Sequence, residues 1–137
     1  MPVSAERLQA VPLFSTLSGD DLDVLGGRFE EREVKSGTHL TSEGASGYTF
    51  FVIENGTVEV ARDGRVVNTL GPGDFFGETA IVSGERRNAT VTATSDVELL
   101  ALFGTEFRIL ERDWPGVAER IAETIAQRTA ALAPQTD

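Results

Sequence analysis

Apolar and polar positions change their rhythm twice along this chain, from helical at the start to β-like in the middle and back to helical at the end. Near the start, Ser4 is placed to cap a short helix through Ala10, and Pro12 ends it because the residue before a proline is pushed out of the helical region. Leu8, Val11, Leu13 and Phe14 supply its apolar docking face. Ser18-Gly19-Asp20-Asp21 is a capping-box-like start for a second helix carrying Leu22 and Leu25, with Gly26-Gly27 as its stop.

From Phe29 onward, β-rich runs are separated by turn residues at short, regular spacing, which predicts a sandwich or barrel. Tyr48–Glu54 and Thr57–Arg62 flank Asn55-Gly56, and Asp63-Gly64 separates the second run from Arg65–Leu70. Both dipeptides supply the positive φ that tight hairpins demand, so the pattern predicts three consecutive strands in a meander. Ala89–Ala93 and Val97–Phe103 read as two further strands, and Thr38–Thr41 as a short one. Turns fall at Lys35-Ser36-Gly37, Glu43-Gly44 and Ser46-Gly47.

Thr105 is the expected cap of a helix of a turn or two through Arg112. Trp114-Pro115 then opens a longer helix, in which Val117, Ala118, Ile121, Ala122 and Ile125 recur at helical spacing with Leu132 near the end.

Composition narrows the chemistry. The 137 residues fit one domain, and 40% hydrophobic with 25% charged residues is the balance of a soluble globular protein. No apolar run approaches the ~20 residues that span a bilayer, and the Met1 end lacks a signal-peptide layout, so membrane insertion is not expected and the cytoplasm is the default location. Without cysteine there is no disulfide, thiolate ligand or thiol nucleophile, and His39 alone cannot build an imidazole metal site. A net charge of −10 repels the phosphate backbone, so direct nucleic-acid binding is not expected either.

Against that acidic background, Gly71–Val91 reads G-P-G-D-F-F-G-E-T-A-I-V-S-G-E-R-R-N-A-T-V and has the makings of an anion site. Gly71, Gly73 and Gly77 let a ligand approach the main chain, and a single helical turn over Glu78–Val82 would offer unpaired N–H donors to a phosphate. Arg87 can add a charge-assisted bond to the same phosphate. Glu78 would repel it, unless the carboxylate accepts a hydrogen bond from a hydroxyl of the same ligand, as carboxylates do with ribose. Phosphate and ribose hydroxyl together describe a nucleotide.

Gly73-Asp74-x-Phe76-Gly77-Glu78-x-Ala80 followed by Arg87-x-Ala89-Thr90-Val91 resembles the phosphate-binding cassette of the cyclic nucleotide-binding domain family, which includes catabolite activator protein, protein kinase A regulatory subunits and cyclic-nucleotide-gated channels. Leu8-x-x-Val11-Pro12-Leu13-Phe14-x-x-Leu17-Ser18 is similar to that family's entry helices, and Glu43-Gly44 with Ile53-x-x-Gly56-x-Val58-x-Val60 to its first hairpins. The resemblance implies a mainly β fold with flanking helices: a β jelly roll (double-stranded β-helix) with two short N-terminal helices and C-terminal helices. It implies one domain over 1–137, with N-terminal helices in 1–28, the jelly roll in 29–103 containing the cassette 71–91, C-terminal helices in 104–133, and a frayed tail at 134–137.

It also implies a cyclic AMP or cyclic GMP ligand and no other cofactor. Arg87 would pair with the cyclic phosphate and Glu78 with the ribose 2′-OH, while N–H groups from Gly77 through Thr79 to Ala80, and at Ala89, would meet phosphate oxygens. Asn88 falls where family members choose between adenine and guanine, an amide there leaves the base open, and Val67 would line the base pocket. Relatives continue into DNA-binding, kinase or channel domains, so the expected output is an unknown protein effector or fused domain, with homodimerisation through the last helix as a further expectation.

Simpler readings stand beside these. A glycine-rich turn alone is only a loop, Arg86 is a solvated neighbour of Arg87 unless the register slips, and His39 packs or faces water. Trp114 is expected to anchor the last helix rather than form a stacking lid, and the acidic clusters Asp20–Asp23 and Glu30–Glu33 are solvated faces. Three functions follow: a non-enzymatic sensor of a cyclic nucleotide, with cyclic AMP preferred; a ligand-free jelly-roll interaction module; and, weakest, a cupin-like metalloenzyme lacking the histidines it needs.

Overall fold

The computed structural model describes residues 5–41, 49–77 and 90–132, with residues 41, 125–126 and 128–132 described by their backbone only. Helix α1 (Ala5–Gln9), a 3-10 turn (Pro12–Phe14) and α2 (Gly19–Gly26) precede the strands. Ser18 caps α2 by accepting from the Asp21 amide at 3.1 Å. Gly27 has φ −67°, so α2 does not end in a left-handed glycine. The Ser4 cap lies outside the described residues.

Eight strands follow: β1 (Glu30–Val34), β2 (His39–Thr41), β3 (Thr49–Asn55), β4 (Val58–Arg62), β5 (Arg65–Leu70), β6 (Phe75–Phe76), β7 (Thr90–Ala93) and β8 (Val97–Phe103). They form two antiparallel four-stranded sheets ordered β1-β8-β3-β6 and β2-β7-β4-β5, a β jelly roll. The expected Glu43-Gly44 and Ser46-Gly47 turns and the helical turn Glu78–Val82 lie outside the described residues, as do the ends of the expected strands at Tyr48 and Ala89.

The expected three-strand meander is corrected. Only β4 and β5 form a hairpin, whose tip Asp63-Gly64 has positive φ at both residues (53° and 77°), the type I′ geometry that matches strand twist. β3 pairs with β8 and β6 in the other sheet, so the Asn55-Gly56 turn carries the chain between sheets. Phe50-Phe51-Val52-Ile53 is apolar without alternation and suits a strand covered on both faces.

The first sheet is indeed covered on both faces. Phe50, Val52, Leu100 and Leu102 pack with Leu8, Phe14, Leu22 and Leu25 of the entry helices and with Phe107, Leu110, Val117 and Ile121 of the closing ones. Phe51, Ile53, Leu99 and Ala101 face Val58, Leu70, Val91 and Ala93 of the second sheet. Helices α3 (Gly104–Asp113) and α4 (Pro115–Leu132) complete the helical layer. The N-cap of α3 is Phe103, without a side-chain bond, so Thr105 lies inside the helix and is not its cap. Trp114 joins the two helices and packs partly buried on the helical core, as an anchor would. Ala122 is exposed while Val117 and Ile121 are buried, and the Ile125 and Leu132 side chains lie outside those described.

Arg7 ties α1 to the sheet by donating to Glu54 through Nε at 3.0 Å and through Nη2, and to Glu31 through Nη1. Hydrogen bonds to Glu54, then to Glu31, raise its pKa well above the ordinary arginine value, so it stays charged wherever the fold survives. Glu54 is the enclosed partner at 14% side-chain exposure, against 37% for Arg7. Solvent screening limits the pair, so Arg7→Gln is expected to cost about 1 kcal/mol in urea unfolding. The difference from the parent protein should shrink in 1 M salt, where the Debye length falls to about 3 Å.

Candidate functional site

The inward-facing rows of the two sheets close at one end of the sandwich and open at the other. At the closed end Ile53, Val58, Leu70, Ala93 and Val97 are all buried. Toward the other end the same rows reach Thr49 on β3 and Val60 on β4, both half-buried, and exposed Asn68 on β5 and Phe103 on β8. Phe103 is 51% exposed although it continues the row of Leu99 and Ala101. Antiparallel register makes this a mouth between the sheets.

Gly77 and Thr90 both lie at this mouth. β6 runs antiparallel to β3, opposite Val52 and then Phe51, so Gly77 leaves toward the Thr49 end. β7 begins at Thr90 opposite Ala61, next to the Asp63-Gly64 tip. Residues 78–89 therefore join two points on one rim, one in each sheet. Glu78, Thr79, Ala80, Arg87, Asn88 and Ala89 belong to that segment and lie outside the described residues, as does Arg86.

Local sequence explains how the segment's entry is held. Gly71-Pro72-Gly73-Asp74 is a type II turn, with Pro72 at its second position, Gly73 at φ 89°, and the Asp74 amide donating to the Gly71 carbonyl at 3.0 Å. Asp74 Oδ2 accepts from the Gly71 amide at 2.9 Å, and both Gly73 N–H to Ile53 O (2.8 Å) and Ile53 N–H to Asp74 O (2.9 Å) fasten the turn to β3. Phe75 and Phe76 then anchor β6 on opposite faces, Phe75 beside Phe50 at 5.6 Å and Phe76 stacked on Phe51 at 5.0 Å between centroids. Gly77 follows at φ 93°, a conformation that favours glycine.

Of the sequence-predicted site residues, Gly77 and Val67 are described. Val67 is the residue of β5 left without a cross-strand partner, because Val60 pairs with Asn68 and Ala61 with Val66. Bulges of this kind re-aim side chains beside binding sites. Two features escaped the sequence reading. Arg32 extends the inward row of β1, its guanidinium 5.8 Å from the Phe51 centroid and 5.9 Å from that of Phe103. Asn68 occupies the inward row of β5, and no sequence signal sets it apart from its neighbours. His39 is exposed, with Nδ1 2.8 Å from Thr92 Oγ1. Among the described residues no cluster of His, Asp and Glu could hold a metal ion, and no helix is long and apolar enough to cross a membrane.

The closed end touches the helices. A Cβ on Gly73 would sit 3.2 Å from Pro12 Cδ, so the type II turn rests on the 3-10 turn. Arg120 of α4 donates through Nη1 to the Pro12 and Leu13 carbonyls at 3.1 and 3.4 Å. One set of contacts therefore runs from the turn that precedes β6, through the 3-10 turn, to the last helix.

The family model for the cyclic nucleotide-binding domain matches residues 31–112. A cyclic nucleotide-gated potassium channel of Rhizobium etli is 40% identical over 123 residues, which is 90% of this chain and 34% of the channel. The cyclic AMP receptor protein of Thermus thermophilus is 31% identical over 126 residues, 88% of this chain and 58% of that protein. The chain thus spans about a third of the channel's length and under two thirds of the receptor's. The solved catabolite activator protein of Thermus thermophilus superposes with a TM-score of 0.78 at 32% identity, over 87% of this chain and 58% of that one. The cAMP-bound structure of PfPKA-R superposes with a TM-score of 0.82 at 23% identity, over 96% of this chain and 47% of that one, a likeness of fold.

Proposed function

The chain belongs to the cyclic nucleotide-binding domain family, and we propose that it is a non-enzymatic sensor whose preferred ligand is cyclic AMP. The observation that carries this reading is the mouth between the sheets, open at the rim where the chain leaves at Gly77 and returns at Thr90. Ligand held there touches both sheets through residues 78–89. Arg87 pairs with the cyclic phosphate, Glu78 accepts from the ribose 2′-OH, and the N–H groups from Gly77 through Thr79 to Ala80, with that of Ala89, donate to phosphate oxygens. Val67 and Asn88 flank the base. Micromolar affinity corresponds to ~8 kcal/mol, of which one charge-assisted bond supplies only ~1.5 to 3 kcal/mol, so base burial and the remaining donors carry the rest.

Output follows the contacts from the Gly73 turn through Pro12 to Arg120, which support α4 as the element that reports occupancy to an effector. A ligand shifts such an element only if it favours one arrangement over another.

Thermal melting tests the reading. At about 1,000 times Kd a ligand adds about 4 kcal/mol, and for a chain of this size the melting point should rise by roughly 10 °C with millimolar cyclic AMP. No shift with either cyclic AMP or cyclic GMP would replace it with the ligand-free interaction module.

A further inference from the structure

The bulge at Val67 decides which side chain of β5 looks into the mouth, and from it we infer that Asn68 reads the ligand's base and selects adenine over guanine. The inference rests on the nucleotide reading above. Val60 packs against the inter-sheet core, and cross-strand partners in an antiparallel pair point to the same face. Asn68 is the partner of Val60, so its amide projects on the inner side of the second sheet. Without the bulge, the ladder that begins at Arg62 with Arg65 and Ala61 with Val66 beside the hairpin tip would place Val67 opposite Val60, and Asn68 opposite Glu59 on the face turned away from the core. Instead Asn68 pairs with Val60 on the inward row.

The surroundings make the amide selective. Its inward neighbours Val60, Val91 and Leu70 are apolar, and Val91 and Leu70 are buried. Asn68 is exposed, which leaves it reachable from the mouth. Its Oδ1 accepts from the Thr69 amide at 2.9 Å and keeps a second lone pair, while Nδ2 retains its donors. Adenine shows the N6 donor beside the N7 acceptor, the pair that one amide meets with two bonds. Guanine shows two acceptors, O6 and N7, on that edge, so Oδ1 would face an oxygen. Guanine therefore leaves half of the amide without a partner, and unpaired polar groups weaken binding.

Calorimetry with cyclic AMP and cyclic GMP on the purified chain and on Asn68→Leu tests this. The parent protein should bind cyclic AMP about tenfold or more tightly than cyclic GMP, and Asn68→Leu should bring the two within about threefold. Asn68→Ala, measured in parallel, covers the case in which leucine disturbs the bulge. Thr69→Ala, paired with Glu59 on the outward face, should leave the ratio unchanged. A parent preference for cyclic GMP, or a ratio that survives in both Asn68 variants, overturns the inference alone. A parent protein that binds neither nucleotide overturns the sensor reading, and the inference falls with it.

Discussion

Gly56→Ala should destabilise this protein by about 3 kcal/mol or more, lowering the melting point by roughly 10 °C. Gly56 has φ 91°, and a Cβ there would collide with the Asp96 carbonyl oxygen while coming within 3.0 Å of both Ser95 Oγ and Val97 Cα. Two of those three atoms are backbone, and the backbone around them is fastened. Thr57 N–H donates to Ser95 Oγ (3.0 Å), Thr94 N–H to Thr57 O (3.0 Å), and Asn55 Nδ2 to Glu98 Oε2 (2.8 Å). The β3–β4 turn and the β7–β8 turn therefore lock the two sheets at the closed end, and neither can withdraw cheaply. Gly64→Ala separates the two costs: φ is 77° there, and nothing lies within 4 Å of its Cβ position. It should lose only about 1 kcal/mol, the expense of a left-handed alanine. Equal midpoints for the two variants in urea would refute the steric account.

Arg87→Ala should raise the dissociation constant of cyclic AMP by about 10- to 100-fold, the loss of a charge-assisted bond worth ~1.5 to 3 kcal/mol. The unliganded melting point, read in parallel, separates a loss of binding from a loss of stability. Arg86→Ala is the matched control and should leave affinity within about threefold, as expected of a charge without a partner on the ligand. Titration calorimetry reads both. Unchanged affinity in Arg87→Ala would remove the phosphate pairing, and a loss confined to Arg86→Ala would move that role one residue along the chain. Raising salt should weaken binding by the parent protein and narrow its advantage over Arg87→Ala, because salt screens the charge pairing that the variant lacks.

The same turn chemistry led to one correct element and one wrong one. Asp63-Gly64 adopts positive φ at both residues and closes the β4–β5 hairpin as expected. Asn55-Gly56 also has its positive φ at glycine, yet the strands it joins belong to different sheets. A dipeptide specifies a backbone angle, whereas a strand's partner depends on which faces need covering. The unbroken run Phe50–Ile53 needs cover on both sides, which only the position between β8 and β6 supplies. Thr105 failed as a cap for a related reason: β8 runs straight into α3 through Phe103 and Gly104, so the helix starts before the threonine.

The candidate site divides in the same way. Gly77 and Val67 were expected from glycine spacing and from resemblance, whereas the place of Asn68 on the inward row was not, because it depends on a one-residue bulge between paired strands. Arg120 read as one more polar position on an amphipathic helix, and only the docking of α4 beside the 3-10 turn brings its guanidinium to the Pro12 and Leu13 carbonyls. By itself, then, the sequence determined the local matters, the described helices and strands and the turns at Gly37, Gly56 and Gly64, and for the site it offered an arginine, a carboxylate and glycines as the expected contacts of a cyclic phosphate and a ribose. These depend on φ preference, periodicity and residue chemistry over a few neighbours. Tertiary structure alone decided the division of strands between two sheets, the end at which they part, and the side chain of β5 that faces the gap. Those outcomes come from competition among distant strands for burial on both faces.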